Sequence, residues 1–273
     1  QFADRAHQEQ TRKSGEPYIQ HPLHTAYNLV QIRADLSTIL AGILHDVPED
    51  TNYTIEDIRE NFGADVASLV EGITKLGKIK YRGIERYREN LRKMFLAMVG
   101  DIRIIYIKFC DRLHNLRTLD ALPENKQQRI AKETLEILAP IAHRLGIHSI
   151  KSELEDLSLR YYKPDAYYDI VTRLNNTKKE RNEVIRKMQS SISEILSEHN
   201  IKHEIKGRSK AIYSIYTKLQ KGRLFDDIYD ILALRVYVET ETECYLSLGL
   251  IHSKYKPISK RFKDYIAMPK ENM

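Results

Sequence analysis

The passage Leu44-His45-Asp46-Val47-Pro48-Glu49-Asp50-Thr51 sets a histidine beside an aspartate, with two more carboxylates one helical turn further on. Upstream lies His21, in Ile19-Gln20-His21-Pro22, and downstream Asp111 opens Asp111-Arg112-Leu113-His114-Asn115. Two imidazoles and two carboxylates with no thiol suit a divalent metal that activates water for hydrolysis. A lone histidine or aspartate on a helix is ordinarily structural. An adjacent charged pair ending an apolar helix is different, because it is costly to bury without a partner. Glu49 and Asp50, just past that pair, are placed to handle protons for a bound water or a leaving oxygen. Arg12-Lys13-Ser14 forms a basic loop before His21, suited to stacking on a purine or holding phosphate. His7, His24, His114, His143, His148, His203 and His252 lack a comparable setting and are read as structural.

These residues need elements that gather them. His21 to Ile32 reads as a helix, with Pro22 near its start and Leu23, Ala26, Tyr27 and Val30 on one stripe. Leu36 to His45 reads as a short apolar helix. Val47 precedes Pro48, which disfavours helical geometry there. Adjacent helical residues point about 100° apart, so a break would let His45 and Asp46 turn to one ion. Thr54 and Asp57 form an N-terminal capping pair, and Phe62-Gly63 a stop. Helical periodicity returns over 66–76, 85–99, 101–119, 126–145 and 148–161. Asp111, Asn115 and Thr118 then share one helical face. From Asp165 to His199 a long charged helix is expected, followed by strands over 201–206 and 231–238 and helices over 211–220 and 242–252. The expected fold is therefore multidomain: an all-α domain over 1–163, a bridging helical region over 164–200, and an α/β domain over 201–273.

The chain has 273 residues, 42% of them apolar, enough for two domains with real cores. No apolar run approaches the length of a membrane-spanning helix. It opens at Gln1-Phe2-Ala3 without an initiator Met, which suggests an excised segment and not a signal peptide. Its two cysteines, Cys110 and Cys244, form no Cys-x-x-Cys pair, which argues against thiolate zinc sites and a disulfide framework. A reducing, cytoplasmic location is the default expectation. The net charge of +6 favours polyanionic partners. The excess gathers at Lys254, Lys256, Lys260, Arg261, Lys263 and Lys270, interleaved with Tyr255, Phe262 and Tyr265. That interleaving points to a phosphate- or base-contacting surface.

The motifs Arg12-Lys13-Ser14-Gly15-Glu16-Pro17-Tyr18, His45-Asp46-x-x-Glu49-Asp50-Thr51, Asp111-Arg112-Leu113-His114-Asn115-x-Arg117-Thr118 and Ala142-His143-Arg144-Leu145-Gly146 together resemble the RelA/SpoT homologues. Those enzymes make and destroy the alarmone (p)ppGpp. The resemblance continues in order through Gly207-Arg208-Ser209-Lys210, Ile212-Tyr213-Ser214-Ile215-Tyr216, Asp230-Ile231-Leu232-Ala233-Leu234-Arg235 and Arg261-Phe262-Lys263-Asp264-Tyr265. It implies an HD-type hydrolase domain with Mn²⁺ on His21, His45, Asp46 and Asp111 and a catalytic pair in Glu49 and Asp50. Arg12, Lys13, Ser14, Asn115 and Thr118 would line its nucleotide pocket. The implied reaction releases the 3′-diphosphate of (p)ppGpp as pyrophosphate, leaving GDP or GTP.

The second half resembles a nucleotidyltransferase-like pyrophosphokinase module, a (p)ppGpp synthetase. Arg208, Lys210, Lys218 and Lys263 match its nucleotide-contacting cations, and Asp230 its Mg²⁺ ligand. ATP and guanine nucleotides are the implied partners, with ribosome contact left to regions beyond this segment and no membrane partner. Retention of the His-Asp and Glu-Asp pairs, with the basic Arg261-Phe262-Lys263-Asp264, matches the bifunctional type. Pro48 and Ser209 depart from the usual residues, an aliphatic and a proline. The family's guanine-stacking tyrosine and later glutamate would follow Met273, so the synthetase is truncated and little synthesis is expected. Two rival readings are another HD-type nucleotide phosphohydrolase, which leaves the second half unexplained, and a nucleotide sensor without turnover.

Overall fold

Residues 1–77, 100–174, 178–228, 230–258 and 262–269 are described in the structure, a computed structural model, with the backbone alone at Lys178, Lys179, Arg181, Arg208 and Ser209. The helix expected over 85–99 lies outside them. The chain divides into two units between Tyr167 and Tyr168.

The first unit is helical: α1 (Phe2–Ala6), α2 (Gln20–Gln31), α3 (Leu36–Leu44), α4 (Val47–Asp50), α5 (Ile55–Phe62), α6 (Ala64–Gly77) and α7 (Arg103–Arg117) come first. After a 3₁₀ turn at Leu119–Ala121 follow α8 (Glu124–Glu133), a π-helical segment (Thr134–Leu138), α9 (Ala139–Arg144) and α10 (His148–Tyr162). Helix α2 packs on α3 and α7, and α3 on α6. Leu29, Leu44, Ile58, Leu69, Ile105 and Phe109 are fully enclosed between these helices. Asp35 caps α3 by accepting from the Thr38 N–H at 2.7 Å. Thr54 and Asp57 form a reciprocal capping box on α5, which ends at Gly63 with φ +88°.

Three expectations for this unit are corrected. The break near Pro48 falls earlier, at His45–Asp46, and Val47 is itself helical. Pro48 sits in the first turn of α4, where its missing N–H costs nothing. The single helix expected over 126–145 carries a π segment ending just before Ala139-Pro140. A widened turn relieves the clash of the proline ring with the carbonyl four residues back. On the α2 stripe only Ala26 is buried, while Leu23, Tyr27 and Val30 are exposed; the buried face instead carries His21, Thr25, Asn28 and Leu29.

Helix α11 (Pro164–Arg173) contains the division between units. Of the long helix expected over 165–199, the described residues carry α11 as far as Arg173, a turn at Leu174, and α12 (Lys178–Glu198). In the second unit β1 (Glu204–Ser209) and β2 (Leu232–Tyr237) pair antiparallel, Glu204 opposite Tyr237 and Ser209 opposite Leu232. Helix α13 (Ile212–Gln220) lies between the strands in sequence, and α14 (Glu241–Lys254) follows β2. Ile192, Leu196 and Ile201 form a small core there with Ile205, Leu234 and Val236. The α-then-α/β order matches the expected fold class.

Candidate functional site

Four elements supply the predicted metal ligands. Helix α2 carries His21, the end of α3 gives His45, the turn into α4 gives Asp46, and α7 gives Asp111. His21, His45 and Asp46 each place one ligand atom within 4.8 Å of the others. Asp111 Oδ1 lies 3.3 Å from His21 Nε2 and 4.0 Å from His45 Nε2. Asp46 meets the same two nitrogens, at 3.4 Å from His21 and 3.1 Å from His45. His45 Nδ1 donates to the Gly42 carbonyl at 2.9 Å, which leaves its Nε2 facing the carboxylates. That Nε2 is buried and, among the described residues, makes no hydrogen bond. A bare buried nitrogen facing two carboxylates is what a divalent cation would satisfy, so the residues fit the group.

The charges around the cluster are arranged unevenly. Burial opposes ionisation of Asp111, yet Lys108, His21 and His45 hold its carboxyl well below the ordinary range. Lys108 Nζ lies 2.8 Å from Asp111 Oδ2, and Asn115 donates to Asp111 Oδ1. Tyr18 directs its hydroxyl at Asp46 Oδ2, 2.9 Å, and Asp50 Oδ2, 2.6 Å. Burial and these two carboxylates raise the Tyr18 pKa, so the phenol stays protonated. Glu49 is exposed by area, but the protein crowding its carboxyl, then Asp46, raises its pKa. His114 Nδ1 lies 2.8 Å from His21 Nδ1. Burial, then the cations around it, push His114 down to about 3, so that ring is neutral.

Beside this cluster opens a cavity of about 650 Å³. Arg12, Lys13, Ser14, Asn115 and Thr118 line it with Tyr18, as do His21, Asp46 and Asp111. The basic loop is built, not loose: Thr11 bridges Pro17, Arg12 N–H donates to Glu16, and Gly15 turns at φ +86°. Only glycine takes that backbone without strain. Arg12 donates to Asn115 Oδ1 at 2.7 Å, tying the loop to α7. Glu49 and Asp50 stand outside the cavity lining, Asp50 joined to it through Tyr18.

Sequence reasoning missed Tyr18, Lys108 and His114. Lys108 and His114 each lie three residues from Asp111 on α7, so helical spacing was the available signal. It also missed the far wall, where Arg112 donates to Glu133 at 3.0 Å and Ile137 and Leu138 of the π segment face the cavity.

In the second unit Lys210 and Lys218 converge on Asp230, at 2.6 and 3.0 Å. Against burial, which raises it, the two ammoniums bring Asp230 down to about 2. Arg208 lies on β1 opposite Ala233. Lys263 is exposed, and its neighbour Asp264 accepts from Tyr245 at 3.0 Å.

Residues 1–148 match the HD domain model, and residues 207–273 match the region found in RelA / SpoT proteins. The GTP pyrophosphokinase of Myxococcus xanthus is 49% identical over 100% of this chain and 37% of its own length. The guanosine-3′,5′-bis(diphosphate) 3′-pyrophosphohydrolase of Aquifex aeolicus is 47% identical over 100% of the chain and 39% of its own. The bifunctional (p)ppGpp synthase/hydrolase SpoT of Escherichia coli K12 is 49% identical over 98% of the chain and 38% of its own. The chain thus spans under two fifths of the length of each of these relatives. It belongs to the RelA/SpoT family, an HD domain followed by the region that gives the family its name.

Proposed function

We propose that the first unit hydrolyses the 3′-diphosphate of (p)ppGpp, releasing pyrophosphate and GDP or GTP, with His21, His45, Asp46 and Asp111 holding Mn²⁺. The observation that carries this reading is the bare, buried His45 Nε2 facing Asp46 and Asp111 beside a cation-lined cavity. When bound, the ion supplies Lewis acidity for water and phosphate oxygen alike. Lys108 neutralises Asp111 and lends positive charge to the cavity wall. Glu49, whose carboxyl burial and the neighbouring Asp46 push towards the protonated form, is suited to carry a proton, and Asp50 acts through its contact with Tyr18. Arg12, Lys13, Ser14, Asn115 and Thr118 hold the guanine nucleotide.

The same reading assigns 1–163 to the hydrolase, 164–200 to a bridging region and 201–273 to the synthetase portion. There Asp230 would hold Mg²⁺, with Arg208, Lys210, Lys218 and Lys263 on nucleotide phosphates. Among the described residues no helix is long and apolar enough to cross a membrane. Cys110 and Cys244 are free thiols, which accords with a reducing cytoplasm.

The test is incubation of the purified chain with ppGpp and Mn²⁺, reading pyrophosphate release. His45→Ala and Asp46→Ala should each lower the rate at least ~100-fold with the fold intact, since each removes a ligand of the activating ion. A His45→Ala enzyme as fast as the parent would overturn the assignment.

A further inference from the structure

The two imidazoles of the cluster are oriented by partners of different kinds. His45 gives its Nδ1 hydrogen to the Gly42 carbonyl. A carbonyl only accepts, so the His45 tautomer is set whatever lies at Nε2. His21 instead places Nδ1 2.8 Å from Nδ1 of His114, a ring that can give or take a hydrogen there. One of the two facing nitrogens must carry the hydrogen and the other a lone pair. In one arrangement His114 donates, and His21 carries its hydrogen on Nε2, towards Asp46 at 3.4 Å and Asp111 at 3.3 Å. In the other His21 donates from Nδ1, and its Nε2 is bare. Only the second offers a lone pair to a cation.

We propose that His114 is a positioning residue: by accepting the Nδ1 hydrogen of His21, it sets the tautomer in which His21 binds metal. The inference rests on the metal reading above and deepens it. His114 is suited to the task because it cannot swing away. It is buried on α7, three residues from Asp111, and His24 stacks on it at 4.7 Å with the rings 17° apart. The balance of hydrogens gives the proposal its content. Before the exchange His21 holds one on Nε2 and His114 one on Nδ1. Afterwards His21 holds one on Nδ1 and His114 one on Nε2, so no proton is gained or lost by the pair. Metal occupancy and the tautomer of a ring that never touches the metal are thereby linked.

The experiment measures Mn²⁺ affinity by calorimetry on the whole chain, with unfolding midpoints recorded beside it. His114→Leu keeps bulk but accepts nothing, and should weaken Mn²⁺ on the order of 10- to 100-fold, as loss of a ligand's hydrogen-bond partner does. His114→Asn puts an amide oxygen near the position of Nδ1 and should restore affinity to within roughly threefold of the parent, because the acceptor is what matters. Nitrogen-15 imidazole spectra, with Zn²⁺ as the diamagnetic ion, should show His114 Nδ1 changing from hydrogen-bearing to bare on metal addition. Parental Mn²⁺ affinity in His114→Leu, or an Asn variant as weak as the Leu variant, overturns the positioning role. A parent chain that takes up no Mn²⁺ instead overturns the metal reading itself, and this inference with it.

Discussion

Tyr18 joins two carboxylates to which the proposed reaction gives different tasks, Asp46 as a ligand and Asp50 in the acidic pair. Its single hydroxyl hydrogen serves one of them at a time. Removing it leaves Asp46 and Asp50 with nothing between their charges, without altering the ring that stacks on His7 at 4.6 Å. Tyr18→Phe should therefore lower the rate of ppGpp hydrolysis about tenfold, within the range of a lost positioning hydrogen bond, and leave the unfolding midpoint nearly unchanged. Equal rates in steady-state pyrophosphate assays would show that the hydroxyl has no part in the reaction. The sequence made His45 and Asp46 legible because an adjacent charged pair ending an apolar helix has few bland explanations. Tyr18 and His114 were not legible in the same way. Their importance comes from which residue lies opposite, and His114 meets His21 from ninety-three positions away.

At the scale of elements, the crossing of α2 on α3 decides whether His21 and His45 meet. Gly42 permits it, for a Cβ there would fall on Leu29, which is fully enclosed and has nowhere to retreat. The same residue's carbonyl orients His45. Gly42→Ala should cost roughly 1–3 kcal/mol by overpacking and weaken metal binding more than its stability loss alone explains. Thermal unfolding and metal titration on one preparation separate the two effects. A second junction ties α3, α6 and α7 together. Arg103 lies 2.7 Å from both Asp65 and Asp101 and 3.2 Å from Asp35. It holds Asp65 and Asp101 below the ordinary carboxylate value. A depressed folded-state pKa contributes stability that is full above the unfolded value, near 4, and is lost as pH falls through the lowered one. Since Asp65 is half exposed, solvent screening limits the network to about 1 kcal/mol at neutral pH. Arg103→Ala should lose that amount at pH 7 and lose progressively less below pH 4 in urea unfolding. An undiminished difference at pH 2 would refute this account. Thr54 with Asp57 and Phe62-Gly63 made the ends of α5 readable, whereas the π segment before Pro140 was hidden, because a widened turn leaves helical periodicity almost untouched.

The whole molecule is two units with separate cores, one wide and helical, the other small and built on a two-stranded sheet. That the chain changes character past Pro164 was visible in its shift from apolar helical stripes to a long charged helix and then, from 201, to strand-like alternation. The turn at Leu174 inside the expected long helix was not, since charged helical periodicity continues on both sides. Separate cores license separate unfolding transitions, and a ligand stabilises only the unit that binds it. The proposed Mn²⁺ ligands all belong to residues 1–167, so the ion should raise one calorimetric transition and leave the other in place. At a free concentration 100 times Kd the gain is about 2.7 kcal/mol. For a unit of this size that is roughly 5–10 °C. Chelator should return the transition to its starting temperature and abolish ppGpp hydrolysis together, because one ion accounts for both. His45→Ala should show neither the shift nor the activity. A shift that persists in His45→Ala would mean that Mn²⁺ binds elsewhere and that the four-ligand assignment is wrong.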